Sequence, residues 1–118
     1  MASKIIKTSA SIVVGNTTSN AIVLNQMTPV SLMTSASVIT GTAITFLVST
    51  DGTTYVPLYD ETSTEVSLTA AASSRAWGLA IKAFFGWPFM KIRLGTSASA
   101  KAQATYDAPF SLLLEQWD

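Results

Sequence analysis

The sequence predicts an all-β protein, an antiparallel β-sandwich or jelly-roll-like single domain, and three observations carry that expectation. Thr, Val, Ile and aromatic residues recur in short alternating runs. Gly, Asn and Pro cut the runs. No convincing helical pattern interrupts them.

Taken in order, the runs are "KIIKTSASIVV", "NAIVLNQ", "PVSLM", "AITFLVS", "TYVPLY", "EVSLT", "RAWGLAI", "PFMKIRL" and "PFSLLLEQ", nine short strands. "GNTTSN" separates the first two. In "FLVSTDGTTYVPLY", Asp51 and Gly52 are placed to supply the positive φ angles of a two-residue type I′ hairpin turn. "DETSTE" starts another turn at Asp60 and Glu61. Small residues make loops of "TAAASSR" at 69–75 and "GTSASAKAQA" at 95–104. Alternation puts Ile44, Phe46, Val48, Met90, Ile92, Leu94, Phe110, Leu112 and Leu114 in the core. Residues 1–40 form N-terminal strands and residues 41–118 the sandwich core. The N-terminal strands carry few charges to block edge pairing, so they are expected to add to, or lie across, a neighbouring subunit. The alternative is that they are simply the first strands of the same sandwich.

Composition narrows the function. The chain of 118 residues has no Cys and no His, which removes disulfides, thiolate metal sites, the commonest zinc ligand and the commonest general base. No nucleophile with a base beside it can be assembled, so no enzymatic activity and no cofactor is expected. Seven cations balance seven anions, a poor footprint for direct nucleic-acid binding. Asp51, Asp60, Glu61 and Glu65 match no EF-hand spacing, and turn chemistry accounts for Asp51; no metal site is expected. Asp60 and Glu61, adjacent on an extended chain, point to opposite sides and cannot flank one bond. "MASKIIKTSA" lacks the apolar segment of a signal peptide, and no run of about 20 apolar residues is present to span a bilayer. The expectation is a protein made and kept in the cytoplasm, with no membrane partner. Ser and Thr make up 31 residues, charged residues only 12%, and a chain so poor in charge is expected to hide part of its surface against partners.

One segment resists a purely structural account. In "GWPFMKIRLG" at 86–95, a strand would put Met90, Ile92 and Leu94 on the core face and Trp87, Phe89, Lys91 and Arg93 together on the other, with Trp77 upstream. Three environments suit such a face: a sugar-stacking platform, a surface for nucleic-acid bases, or protein, whether a subunit interface or core packing with the cations lying over rings. The neutral chain argues against bases. These five residues, Trp77, Trp87, Phe89, Lys91 and Arg93, are the interface candidates.

The order of motifs from "ITFLVSTDGTTYVPLYDETSTEVSLTAAASSRAW" through "FFGWPFMKIRLGTSASAKAQA" to "PFSLLL" resembles a family of small β-sandwich virion structural proteins of tailed bacteriophages, related to capsid decoration and cement proteins. The resemblance rests on Asp51 and Gly52, on Tyr55, Leu58, Tyr59 and Asp60, on Thr69 to Ser73, on Phe89, Lys91 to Arg93 and Gly95 to Ala98, and covers residues 42–114. Residues 1–40 carry no match, and "IKAFFGWP" is more aromatic than the family pattern. The resemblance implies a non-enzymatic virion component, a decoration protein partnered by copies of itself and by the major capsid protein. Its alternative is a head-fibre base or tail accessory module that binds host-surface carbohydrate.

Overall fold

Ile44, Phe46 and Val48 alternate along one strand and Met90, Ile92 and Leu94 along another. In the computed structural model all six side chains are turned inward and buried. The structure describes residues 3–35, 39–70 and 74–117. Its strands are β1 (Ser3–Ile12), β2 (Ile22–Val23), β3 (Thr28–Thr34), β4 (Ala43–Ser49), β5 (Val56–Pro57), β6 (Ser67–Thr69), β7 (Arg75–Gly78), β8 (Phe89–Leu94) and β9 (Ala108–Trp117), with one helical turn, α1 (Ile81–Phe84). All nine expected strands are present. They form an antiparallel β-sandwich: one sheet in the order β1-β9-β3-β7, the other in the order β2-β8-β4-β5 with β6 also on β4.

The core is the shared inner face of the two sheets. Phe110, Leu112 and Leu114 of β9 point inward with Ala10 and Ile12 of β1 and Leu32 of β3, and all nine core residues expected from alternation are buried. Phe46 meets Phe84 edge to face, with ring centroids 4.9 Å apart. Phe84 arrives on α1, which the sequence did not announce. A four-residue turn has little intrinsic stability, so the burial of Phe84 is what holds it. It ends where Phe85 returns to extended backbone and Gly86 takes φ +92°.

Residues 3–34 supply strands of these same sheets: β1 pairs β9 from Ser3–Trp117 to Ile12–Ala108, β2 pairs β8, and β3 lies between β9 and β7. The division expected at residue 40 therefore falls between two strands of one sandwich. In β3 the register shifts between Pro29 and Ser31, directly after a residue that has no N–H to give the ladder.

The hairpin after β4 is present, but not its expected turn. Residues 50–55 separate β4 from β5, and of the two expected turn residues only Gly52 has positive φ, at +78°. Asp51 keeps an ordinary φ because its side chain does the turning: Oδ1 accepts hydrogen bonds from the amides of Thr53 and Thr54 at 2.8 and 3.0 Å, and Ser49 Oγ accepts from the amide of Gly52. Of the loop expected at 69–75, residues 71–73 lie outside the described residues. The loop from 95 is a tight reversal: Gly95 pairs Ala100, and the amide of Lys101 donates to Leu94 O.

Gly95 sits at φ +84°, and a Cβ there would fall 2.2 Å from Ser99 O and 2.9 Å from Ala100 Cα, both backbone. Gly95→Ala is therefore expected to cost about 3 kcal/mol. In urea unfolding the midpoint falls while the slope stays that of the parent.

Candidate functional site

The outer face of β8 is the segment left unexplained by the sequence, and the chain itself covers most of it. β8 lies beside β4 in the register Ser49–Phe89, Leu47–Lys91 and Thr45–Arg93. Residues 50–65, leaving β4, lay one partner over each outward side chain. Phe89 packs beneath Gly52, whose missing Cβ would stand 3.3 Å from the ring. Lys91 Nζ sits 4.5 Å from the centroid of the Tyr55 ring, a cation–π contact. Burial first, and then the nearby Asp51 charge, push the Tyr55 phenol up. Its hydroxyl is buried with no hydrogen-bond partner among the described residues.

Arg93 is the most deeply placed. It is 8% exposed, and its guanidinium reaches Glu65 Oε2 at 2.5 Å while Nε donates to Thr45 Oγ1 at 3.0 Å. Thr45 Oγ1 donates in turn to Gly95 O. The Glu65 carboxylate also accepts from the amide and hydroxyl of Ser97, and Ser97 Oγ shares a 3.1 Å hydrogen bond with Tyr59 OH. One polar chain thus runs from β4 through Arg93 and Glu65 to the ring of Tyr59.

Tyr59 stands at the rim of an open cleft of about 410 Å³, lined by Tyr59, Asp60 and Glu61 on one side and by Ala80, Lys82, Ala83, Phe85 and Trp87 on the other. Trp87 is half-buried, packed partly on the core, whereas Phe85 is 66% exposed. Lys82 Nζ bridges to Glu61 Oε1 at 2.6 Å across exposed side chains. Asp60 holds the turn beneath: Oδ1 accepts from the hydroxyl and amide of Thr62 and from the amide of Thr64. The Thr62 hydroxyl, then the Thr64 and Thr62 amides, keep its carboxyl below the usual range.

The five interface candidates therefore do not form one platform. Trp87 reaches the cleft, while Phe89, Lys91 and Arg93 meet residues 50–65. Trp77 is on the other sheet, at edge strand β7, opposite buried Leu32, with Nε1 donating to Thr69 O at 3.3 Å. Sequence reasoning did not place Phe85 or Ser97 in a site. The signal for Phe85 was the aromatic excess of "IKAFFGWP"; Ser97 lies in the Gly95 to Ala98 stretch of the resemblance, but nothing in the sequence pointed to its contacts with Glu65 and Tyr59.

The outer face of the β1-β9-β3-β7 sheet is different. Lys7, Leu113, Ser31 and Gly78 face outward in one cross-strand row, and Ser9, Ser111, Met33 and Ala76 in the next. Small residues between larger ones leave a shallow groove of about 350 Å³. Ile5, Met33 and Leu113 are 59%, 49% and 41% exposed. No helix among the described residues is long and apolar enough to cross a membrane.

No protein-family model matches this chain, and no curated protein matches it. Among solved structures, it is similar to the crystal structure of the SPBc2 prophage-derived protein YomS, with a TM-score of 0.58 over 98% of this chain and 96% of that one. The two are 10% identical, so the likeness is one of fold.

Two outcomes follow from this geometry. Arg93→Ala strands Glu65 at a site where both side chains are only 10% and 14% exposed, and is expected to cost about 3 kcal/mol; Arg93→Lys does not restore it, since one ammonium cannot reproduce the guanidinium fork. The measurement is chemical unfolding of all three proteins. For Asp60, a folded-state pKa below the unfolded one means that its stabilising bonds are fully present above the unfolded value and are lost as pH falls through the folded value. The amide resonances of Thr62 and Thr64, followed by NMR in an acid titration, are expected to move together with a midpoint below the ordinary range of an aspartate carboxyl.

Proposed function

We propose that this chain is a non-enzymatic structural protein of a bacteriophage particle, a decoration or cement protein that stabilises the head through contacts with the major capsid protein and with copies of itself. The observation that carries the proposal is the difference between the two outer faces of the sandwich. On one, β8 is dressed by the chain's own residues 50–65, with Val23 left exposed beside it; the other exposes Ile5, Met33 and Leu113 around a groove in a protein with few charges. An apolar sheet face of this kind suits a subunit contact, because avidity across a symmetric lattice allows each contact to be weak. The outward edge of β1 has no strand partner among the described residues and continues that face. The fold shared with a prophage-derived protein and the motif order from Asp51 to Ala98 both support a phage origin.

The test adds purified protein back to particles that lack it and measures copies bound per particle and resistance of the head to heat. Leu113→Asp and Met33→Glu, both at exposed positions, are expected to keep the parent unfolding curve and to lose binding. Copies confined to the tail, or binding undiminished in both variants, would contradict the proposal.

A further inference from the structure

The cleft between the 59–61 turn and the 80–87 segment shares no lining residue with the groove on the opposite sheet, and the subunit-contact proposal leaves it unused. Three aromatic side chains, Tyr59, Phe85 and Trp87, converge on it, and two of them are 47% and 66% exposed. A solvent-facing Phe contributes little to the fold, yet here it completes a ring-lined wall. Every polar partner of Tyr59 and the Asp60 turn is internal: Ser97 fixes the Tyr59 hydroxyl, and the three bonds to Asp60 all fall on Oδ1. Oδ2 therefore keeps its acceptor capacity on a carboxylate that the turn holds ionised. Glu61 and Lys82 answer one another across the opening, so the rim carries one net negative charge.

We propose that this cleft binds a neutral or amine-bearing pyranose ring. The hydrogens on the apolar face of such a ring pack against aromatic side chains, and its hydroxyls, lying around the ring plane, donate to a fixed carboxylate. The volume of about 410 Å³ is in the range of small-molecule sites, about 300–1,000 Å³. The negative rim disfavours phosphate-bearing and acidic ligands, since the one cation present is already paired. Tyr59 is linked to Arg93 through Ser97 and Glu65, though Arg93 does not line the cleft. This assignment is independent of whether the protein sits on the head or the tail of a particle.

The experiment is an amide NMR titration of the intact chain with methyl α-D-glucopyranoside, methyl α-D-galactopyranoside, N-acetylglucosamine and glucosamine, each to about 10 mM, enough to occupy most of a site with a Kd of about 1 mM. The expected result is saturable shifts confined to residues 59–61 and 80–87, including the Trp87 indole, for at least one of the four probes. Phe85→Ser, at an exposed position, and Asp60→Asn are each expected to weaken that binding about tenfold while the rest of the spectrum stays that of the parent. If either variant unfolds, the parent titration and the other variant still decide. Three results would overturn the assignment: no shift in these residues with any probe, binding unchanged in Phe85→Ser, or tighter binding of N-acetylphenylalanine amide than of every sugar, which would mark a site for an aromatic peptide side chain.

Discussion

A guanidinium taken out of water on the outer face of a sheet is the constraint around which half of this protein is arranged. Arg93 is almost wholly covered, and desolvating a charge costs several kcal/mol unless its partners are in place. Glu65 satisfies it only because residues 50–66 turn back over β4 and β8 rather than running free into solvent. The pair dictates where that segment lies, and Tyr59, Tyr55 and Gly52 follow as its passengers. Ser97 then draws the 95–100 reversal onto the same carboxylate. A sheet with Leu in place of Arg93 would have had no need of this cover.

Away from that pair, charge gives way to short polar side chains as the means of closing loops. Asp51, Asp60 and Ser49 each accept backbone amides within their own turns. Gln103, 1% exposed, does so over distance: Oε1 accepts from the amide of Thr40, Nε2 donates to Tyr106 O, and its backbone bonds to Gly15 and Asn16. Three loops are tied at one glutamine, two through its side chain and one through its backbone. The abundance of Ser and Thr is in part explained the same way, since hydroxyls such as Thr45 and Thr34 bond the backbone of neighbouring strands.

What could be read beforehand was whatever depends on period two. Strand existence and the inward set from Ile44 to Leu114 follow from alternation alone, because each strand has one face in the core. Turn geometry was less legible: the Asp51-Gly52 pair suits a two-residue hairpin, but Ser49 and the two threonines after Gly52 offered a wider loop whose amides the side chains could satisfy. α1 was hidden because four residues carry too little pattern to announce a helix; only the buried Phe84 explains it. The outward set of β8 was legible as a row but not as a site, since nothing local reveals that Arg93 meets a residue 28 positions away or that Trp87 finds its neighbours in Tyr59 and Phe85.

The pairing of β1 with β9 orders events in time as well as space. Ser3 lies opposite Trp117, so β1 waits for the distant β9 before its ladder can close. During synthesis, β4, β5 and β8 can pair as they emerge, whereas Ala10, Ile12 and the inner face of β3 lack their β9 neighbours until β9 has emerged. Long-range closure of this kind is slow because loop entropy is lost before the contacts reward it. Until it closes, β1 keeps an unpaired edge, and unpaired strand edges are the surfaces through which incompletely folded chains associate.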